Sequence, residues 1–271
     1  MGQKIALVTG ASSGMGKATA ELLAANGYYV FAMARRMERL EQMRCEQIEP
    51  VRMDVTDTKS VRAAVEHVIA SKGRIDVLVN NAGYGQLGAI ECVSMEAAHQ
   101  QFEVNVFGYA RLIQAVLPHM RREKSGRIIN IASILGKISI PGFGWYAASK
   151  HAVEALSEAL RGEVIGFGID VIVIAPGFIK TEFGTKQSAL LEAVAHPPAY
   201  QKLLAGVHSF VADESKAPGP EIIARAVLDA TTAVNPSVRH ALPIDSKMAI
   251  IGRWLLGGPI FSWAIRCLMK I

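Results

Sequence analysis

Apolar residues fall along the chain in two alternating patterns. Short continuous runs at Ile5–Thr9, 28–34, 51–53, 75–79, 127–131 and 170–174 are separated by longer stretches with helical spacing, such as 17–26, 59–71 and 97–122. Continuous runs suit a parallel sheet covered on both faces, because neither side of such a strand meets water. Strand–helix–strand repetition with right-handed crossovers predicts a doubly wound parallel α/β sheet with helices on both faces. A short run at Arg239–Leu242 supplies a seventh strand.

After 174 the pattern changes. Pro176-Gly177 ends the sixth run, and Gly184, His196-Pro197-Pro198 and Ala217-Pro218-Gly219-Pro220 interrupt the stretch from about 180 to 220. This reads as an inserted flap with one or two helices. The expected organisation is one domain over 1–245, followed by a hydrophobic, basic helical extension over 246–271.

The first run leads straight into Thr9-Gly10-Ala11-Ser12-Ser13-Gly14-Met15-Gly16, which opens the first helical stretch. Glycine lets a backbone turn tightly and approach a pyrophosphate, whose charge then lies at a helix N-terminus. The spacing is G-x-x-x-G-x-G and not the general G-x-G-x-x-G. Alone, such a turn reads equally as a tight connection; the strand before it and the helix after it favour a phosphate loop. The second run ends Ala34-Arg35-Arg36. A site for NAD places an acid about 20 residues beyond the loop to hold the ribose hydroxyls, and none stands at 34–36. Two guanidiniums can grip a 2′-phosphate in forked geometry. They also read as solvated charges at a helix start, but cations there oppose the helix dipole. The expected cofactor is therefore NADP.

Composition narrows the field. The 271 residues are 51% hydrophobic and 20% charged, enough for a large core. A formal charge of +5 suits an anionic cofactor, and no nucleic-acid motif accompanies it, so nucleic acid is not an expected partner. Cys45, Cys92 and Cys267 lie far apart, like isolated thiols of a reducing compartment. His99, His119 and His151 form no metal pattern, and no metal is expected. The first apolar run is too short for a cleavable signal. A cytoplasmic location is expected.

Candidate chemistry gathers in the second half of the sheet. Tyr146 and Lys150 are four residues apart in a strongly helical stretch, which puts both on one face. Ser133 follows the fifth strand, at the carboxyl end where α/β proteins bind ligands. Asn105 falls within the 97–122 helix. Singly, Ser133 reads as a turn residue, Asn105 as a buried polar group and Tyr146 as a core aromatic.

Together with Asp54 in Met53-Asp54-Val55, the segment Asn80-Asn81-Ala82-Gly83, and Pro176-Gly177 with Thr181, these pieces resemble the short-chain dehydrogenase/reductase family, from Lys4 to about Thr181. The resemblance implies a Rossmann-type sheet and an oxidoreductase that interconverts a carbonyl and an alcohol by hydride transfer. It implies that Tyr146 exchanges a proton with the substrate oxygen, and that Lys150 binds the nicotinamide ribose and lowers the tyrosine pKa. Ser133 would hold the substrate oxygen, and Asn105 would hold a water in a relay behind Lys150. Cofactor contacts are implied for Gly10, Ser12, Ser13, Gly14, Met15, Gly16, Arg35, Arg36, Asp54, Val55, Asn81, Ala82, Gly83, Tyr146, Lys150, Pro176, Gly177, Ile179 and Thr181. A homo-oligomer, dimer or tetramer, is expected.

The substrate side is less specific. Tyr84, Leu135, Ile140, Phe143, Trp145 and Phe178, with Phe183, Leu190, Leu191, Tyr200, Leu203, Leu204 and Phe210 of the flap, suggest a hydrophobic carbonyl or alcohol: a steroid, a retinoid or a lipid-derived chain. Ordinary core packing explains the same residues equally well. A 3-oxoacyl reductase of fatty-acid metabolism is the alternative, with Arg121-Arg122 as a faint carrier-docking signal; a non-catalytic NADP sensor is a further one. Residues 246–271 carry Lys247, Arg253, Arg266 and Lys270 and no acid. Their uncharged run, 254–265, is broken by Gly257-Gly258-Pro259 and falls short of the ~20 residues a bilayer span needs. Two short amphipathic helices could cover the pocket, form a subunit interface or lie on a membrane surface. The extension is loosely similar to those of hydroxysteroid and retinol dehydrogenase-like members.

Overall fold

The computed structural model describes residues 2–212 and 217–271. Seven strands form one sheet: β1 (Ile5–Thr9), β2 (Tyr29–Ala34), β3 (Ile48–Arg52), β4 (Val77–Asn80), β5 (Gly126–Ile131), β6 (Ile169–Pro176) and β7 (Arg239–Leu242). Their order is β3-β2-β1-β4-β5-β6-β7, and every neighbouring pair is parallel. On one face α1 (Gly14–Ala25) and α9 (Glu221–Thr232) cover the strands, with Leu23, Ile223 and Val227 packed on Val8, Val30 and Ile172. On the other lie α3 (Thr58–Lys72), α5 (Gly108–Glu123) and α6 (Gly144–Val164), with Val65, Leu112 and Leu160 on Leu7, Phe31 and Ile128.

Two elements differ from the sequence expectation. The third strand, expected only over 51–53, begins at Ile48. It is the sheet's edge, so its two faces are unequally buried and Glu49 and Pro50 are tolerated within it. The single helix expected over 97–122 is α4 (Met95–Phe102), a π-helical turn Glu103–Phe107 and then α5. Side-chain periodicity is blind to one extra residue in a turn, and such wide turns gather at functional sites. Asn105 sits in it.

Beyond β6 the flap supplies α7 (Glu182–Glu192) and α8 (Gln201–Ala212). Residues 213–216 of the expected flap lie outside the described residues. The C-terminal α10 (Ile244–Met269) turns at Gly257, whose φ of 68° is open to glycine at no steric cost. Leu191, Val207, Phe261 and Met269 from these helices join Leu135, Ile140, Phe143 and Tyr146 in a third apolar cluster over the carboxyl end of the sheet.

Candidate active site

The chain order reverses between β1 and β4, and a crevice opens beyond their carboxyl ends. Thr9 and Asn81 tie the two strand ends together. The Thr9 hydroxyl accepts from the backbone N–H of Asn81 (2.9 Å) and Ala82 (3.0 Å), while Asn81 Nδ2 donates to the Thr9 carbonyl at 2.9 Å. Gly10 has φ 66°, and a Cβ there would stand 2.9 Å from Ala82 Cα, so a side chain would push the strands apart. Ser13 caps α1 without a side-chain cap bond, and the first turn holds no acid. Its amide donors and positive dipole end therefore remain available to an anion. Gly16 acts otherwise than expected. It does not line the cavity; a Cβ would run into the Gly10 carbonyl and the Asn81 amide, so it lets α1 pack against the loop.

Both arginines after β2 reach the crevice. Arg36 Nη2 donates to Ser12 Oγ at 2.8 Å and to Ser13 Oγ at 2.9 Å, with Nε 3.2 Å from Ser12 Oγ. Arg35 pairs loosely with Asp54 at 3.8 Å. Asp54 in turn accepts from Thr56 N (2.9 Å) and Oγ1 (2.8 Å), which fixes the turn after β3. Glu182, which no motif marks, accepts two bonds from Arg39 Nη1 at 2.8 and 2.9 Å and lies 3.8 Å from Arg36. It ties the start of the flap to this corner, and those cations hold its carboxyl below the ordinary range: the Arg39 hydrogen bond first, then Lys186.

Across the crevice α6 carries Tyr146 and Lys150, both buried. The Lys150 ammonium donates to the Ile131 carbonyl at 2.8 Å. Burial, partly under Phe183 of the flap with ring centres 5.9 Å apart, pushes the Tyr146 phenol up to about 12; the nearby Ser133 hydroxyl acts the other way. Burial likewise lowers Lys150 to about 7. Desolvation thus dominates the acidity of both groups, in opposite directions. Ser133 accepts from Leu135 N at 3.1 Å and lies 3.4 Å from the Pro176 carbonyl. Asn105 does not reach the cavity wall. Its Oδ1 accepts from Tyr84 N (3.0 Å), and its Nδ2 donates to Tyr84 O (2.8 Å) and Ser149 Oγ (3.1 Å). It braces the 83–84 segment against α6. Glu154, one turn past Lys150, is buried and paired with Arg239 and with Lys137 at 3.5 Å, which pins α6 to β7.

Arg35, Arg36, Asp54, Ser133, Tyr146 and Lys150 line one cavity of about 1290 Å³. That exceeds the ~300–1,000 Å³ of a site for one small ligand, so a dinucleotide and a second molecule fit together. The remaining residues expected at the cofactor, including Met15, Gly14, Val55, Gly83, Gly177 and Ile179, line its polar end. Thr181 also lines it while capping α7 through Phe183 N at 3.2 Å. Tyr84, Leu135, Ile140, Phe143 and Phe178 wall the other end, as expected, with Phe183, Leu190 and Phe210 of the flap. Trp145 does not; it packs edge-on against Phe102, at 6.4 Å. Tyr200, Leu203 and Leu204 also stand off the wall, and Leu191 is in the core behind it. Missed by sequence reasoning were Gln187 of α7 and the inward residues Ser246, Ala249, Phe261 and Ile265 of α10. The four-residue spacing of Phe261 and Ile265 was a usable signal.

A glycine loop at the reversal point of the sheet, facing a buried tyrosine and lysine across one cavity, is the construction of a nicotinamide-dependent oxidoreductase. Comparison with known proteins places it more closely. The family profile described as short chain dehydrogenase matches residues 4–191. A 3-ketodihydrosphingosine reductase of Bacteroides thetaiotaomicron is 47% identical over 186 residues, 68% of this chain. That alignment spans 66% of the relative, slightly under two thirds of its length. An NADPH-dependent 3-dehydrocapnine reductase of Ornithobacterium rhinotracheale is 41% identical over 192 residues, 68% of each chain. The crystal structure of a short-chain dehydrogenase from Streptomyces avermitilis superposes with a TM-score of 0.85 at 36% identity, covering 94% of this chain and 93% of that one. The chain belongs to the short-chain dehydrogenase family and is an NAD(P)-dependent oxidoreductase.

Proposed function

We propose that the protein is an NADP(H)-dependent ketoreductase acting on a carbonyl carried by a long apolar chain. The observation that carries this reading is the cavity itself, which Arg35 and Arg36, Tyr146 and Ser133, and apolar side chains of the flap and α10 all line. The names of two relatives, one NADPH-dependent and one a reductase of 3-ketodihydrosphingosine, support the cofactor and the class of ketone. They favour a lipid-derived chain over the steroid and retinoid that the sequence also left open. Arg121 and Arg122 do not line the cavity.

When bound, the nicotinamide supplies a hydride to the carbonyl carbon. The loop glycines and the N-terminus of α1 would hold its diphosphate, and the Arg36–Ser12–Ser13 cluster with Arg35 its 2′-phosphate. Lys150 would bind the ribose hydroxyls. Ser133 would hydrogen-bond the substrate oxygen, and Tyr146 would give its proton to that oxygen as negative charge develops on it. A phenol pushed up to about 12 is fully protonated at neutral pH, which is the state a reduction consumes. Packing of Phe183 and Phe210 over the cavity excludes water from this step.

Tyr146→Phe tests the mechanism. Oxidation of NADPH by a long-chain ketone should fall by about 10²–10⁴, while NADPH binding, followed by fluorescence, stays unchanged. Undiminished turnover in that variant would refute the assignment.

A further inference from the structure

The outward side of α10 presents a row of apolar side chains that nothing among the described residues covers. Ile244, Met248, Ile251 and Leu255 recur at intervals of four, three and four and are all exposed, which sets them on one side of the helix. Trp254 beside them is 81% exposed. Past the turn at Gly257, Ile260 and Trp263 are exposed as well, Trp263 by 60%. The segment 244–269 is apolar and little of it is buried, but the turn at Gly257 divides it into two shorter helices. Folded chains rarely leave so large a contiguous apolar patch to water.

The charge pattern says what meets this face. Lys247, Arg253, Arg266 and Lys270 lie in the segment, and no carboxylate occurs from 246 to 271. Lys247 is seven residues before Trp254 and Arg266 three beyond Trp263, so each stands near its tryptophan's side of its own helical piece, and Lys270 follows at the helix end. The same segment of a second copy would offer these cations no acidic side chain to pair with. Spanning is disfavoured because Ser246, Phe261 and Met269 bury the opposite side of the helix against the protein. Tryptophans, an apolar stripe and flanking cations together fit a helix lying in the plane of an anionic headgroup layer.

We propose that α10 docks the protein on an anionic lipid surface. The same helix walls the cavity through Ala249, Phe261 and Ile265, so docking sets that wall at the lipid boundary, where an apolar substrate enters without crossing water. Only this last step rests on the substrate reading above; docking itself does not.

The test uses the full chain and sedimentation with phosphatidylcholine vesicles, with and without phosphatidylglycerol. The protein should pellet with the anionic vesicles and be released by high salt. Trp254→Glu with Trp263→Glu should abolish pelleting. Lys247→Glu, Arg266→Glu and Lys270→Glu together should weaken partitioning about a hundredfold, since each cation near an anionic leaflet is worth about fivefold. These residues lie off the cavity wall, so NADPH binding should persist in both variants and report that they are folded. Absence of wild-type pelleting overturns the proposal. So does light scattering in which the tryptophan variant splits an oligomer while vesicles go unbound, because the face then belongs to a second copy. Vesicle binding by a protein that reduces no long-chain ketone would leave docking standing and sink only the substrate assignment.

Discussion

The Lys150 ammonium lies 5.8 Å from the centre of the Tyr146 ring and donates to the carbonyl oxygen of Ile131 at 2.8 Å. One helical turn on α6 thus brings together a phenol that burial makes a weaker acid and an ammonium that burial makes a stronger one. Burial disfavours the charged form of each, and the Ile131 carbonyl and the Ser133 hydroxyl offset only part of that cost.

This pair gives the cofactor-free protein a defined pH response. Burial lowers Lys150 from 10.5 to about 7, so between those values the unfolded chain binds the extra proton and stability rises with pH. Burial raises Tyr146 from 10.0 to about 12, so its contribution is complete below 10 and is lost as pH climbs toward 12. Each pKa unit corresponds to about 1.4 kcal/mol, and the rise should reach a few kcal/mol. Denaturant melts of the wild type and of Lys150→Met, taken from pH 7 to 10, should show the wild type gaining on the variant. Parallel curves would mean that the ammonium is solvated.

Cofactor choice should follow the arginines. Replacing Arg36 by alanine removes its charge-assisted bonds to the two loop serines and the guanidinium expected to meet a 2′-phosphate. Replacing Arg35 leaves the Asp54 carboxylate unscreened. Each change should weaken NADPH about ten- to a hundredfold and leave NADH binding unaltered, as read by fluorescence titration. Equal losses for both dinucleotides would place the arginines away from the phosphate.

Gly16→Ala should destabilise the fold by about 1–3 kcal/mol. The new methyl has nowhere to go, because it meets the Gly10 backbone and the Asn81 amide that braces Thr9. Chemical denaturation without cofactor measures it. A variant as stable as the wild type would show that α1 can shift.

Phe261→Ala opens the wall that α10 makes over the cavity. The buried ring belongs to the third apolar cluster, and its loss should cost about 3 kcal/mol. KM for ketones of increasing chain length should rise more steeply than in the wild type, with short ketones little affected. A uniform change across the series would assign this ring to stability alone.

Much of this molecule is written in local pattern. Continuous apolar runs demand burial on both faces, and that fixes a parallel sheet wherever helices intervene. Glycines between a strand and a helix, and a tyrosine and lysine one turn apart, have geometry set by a few bonds. The edge strand from Ile48 escaped because half-burial erases the continuous signal, and the wide turn at Asn105 escaped because side-chain spacing does not register a single inserted residue. What needed the folded chain were meetings between distant segments: Glu182 with Arg39, Asn105 with Tyr84, Phe261 with Phe143 in one cluster. The shifted acidities of Tyr146 and Lys150 belong there too. They arise from burial, and burial is a property of three-dimensional closure, which no stretch of sequence carries by itself.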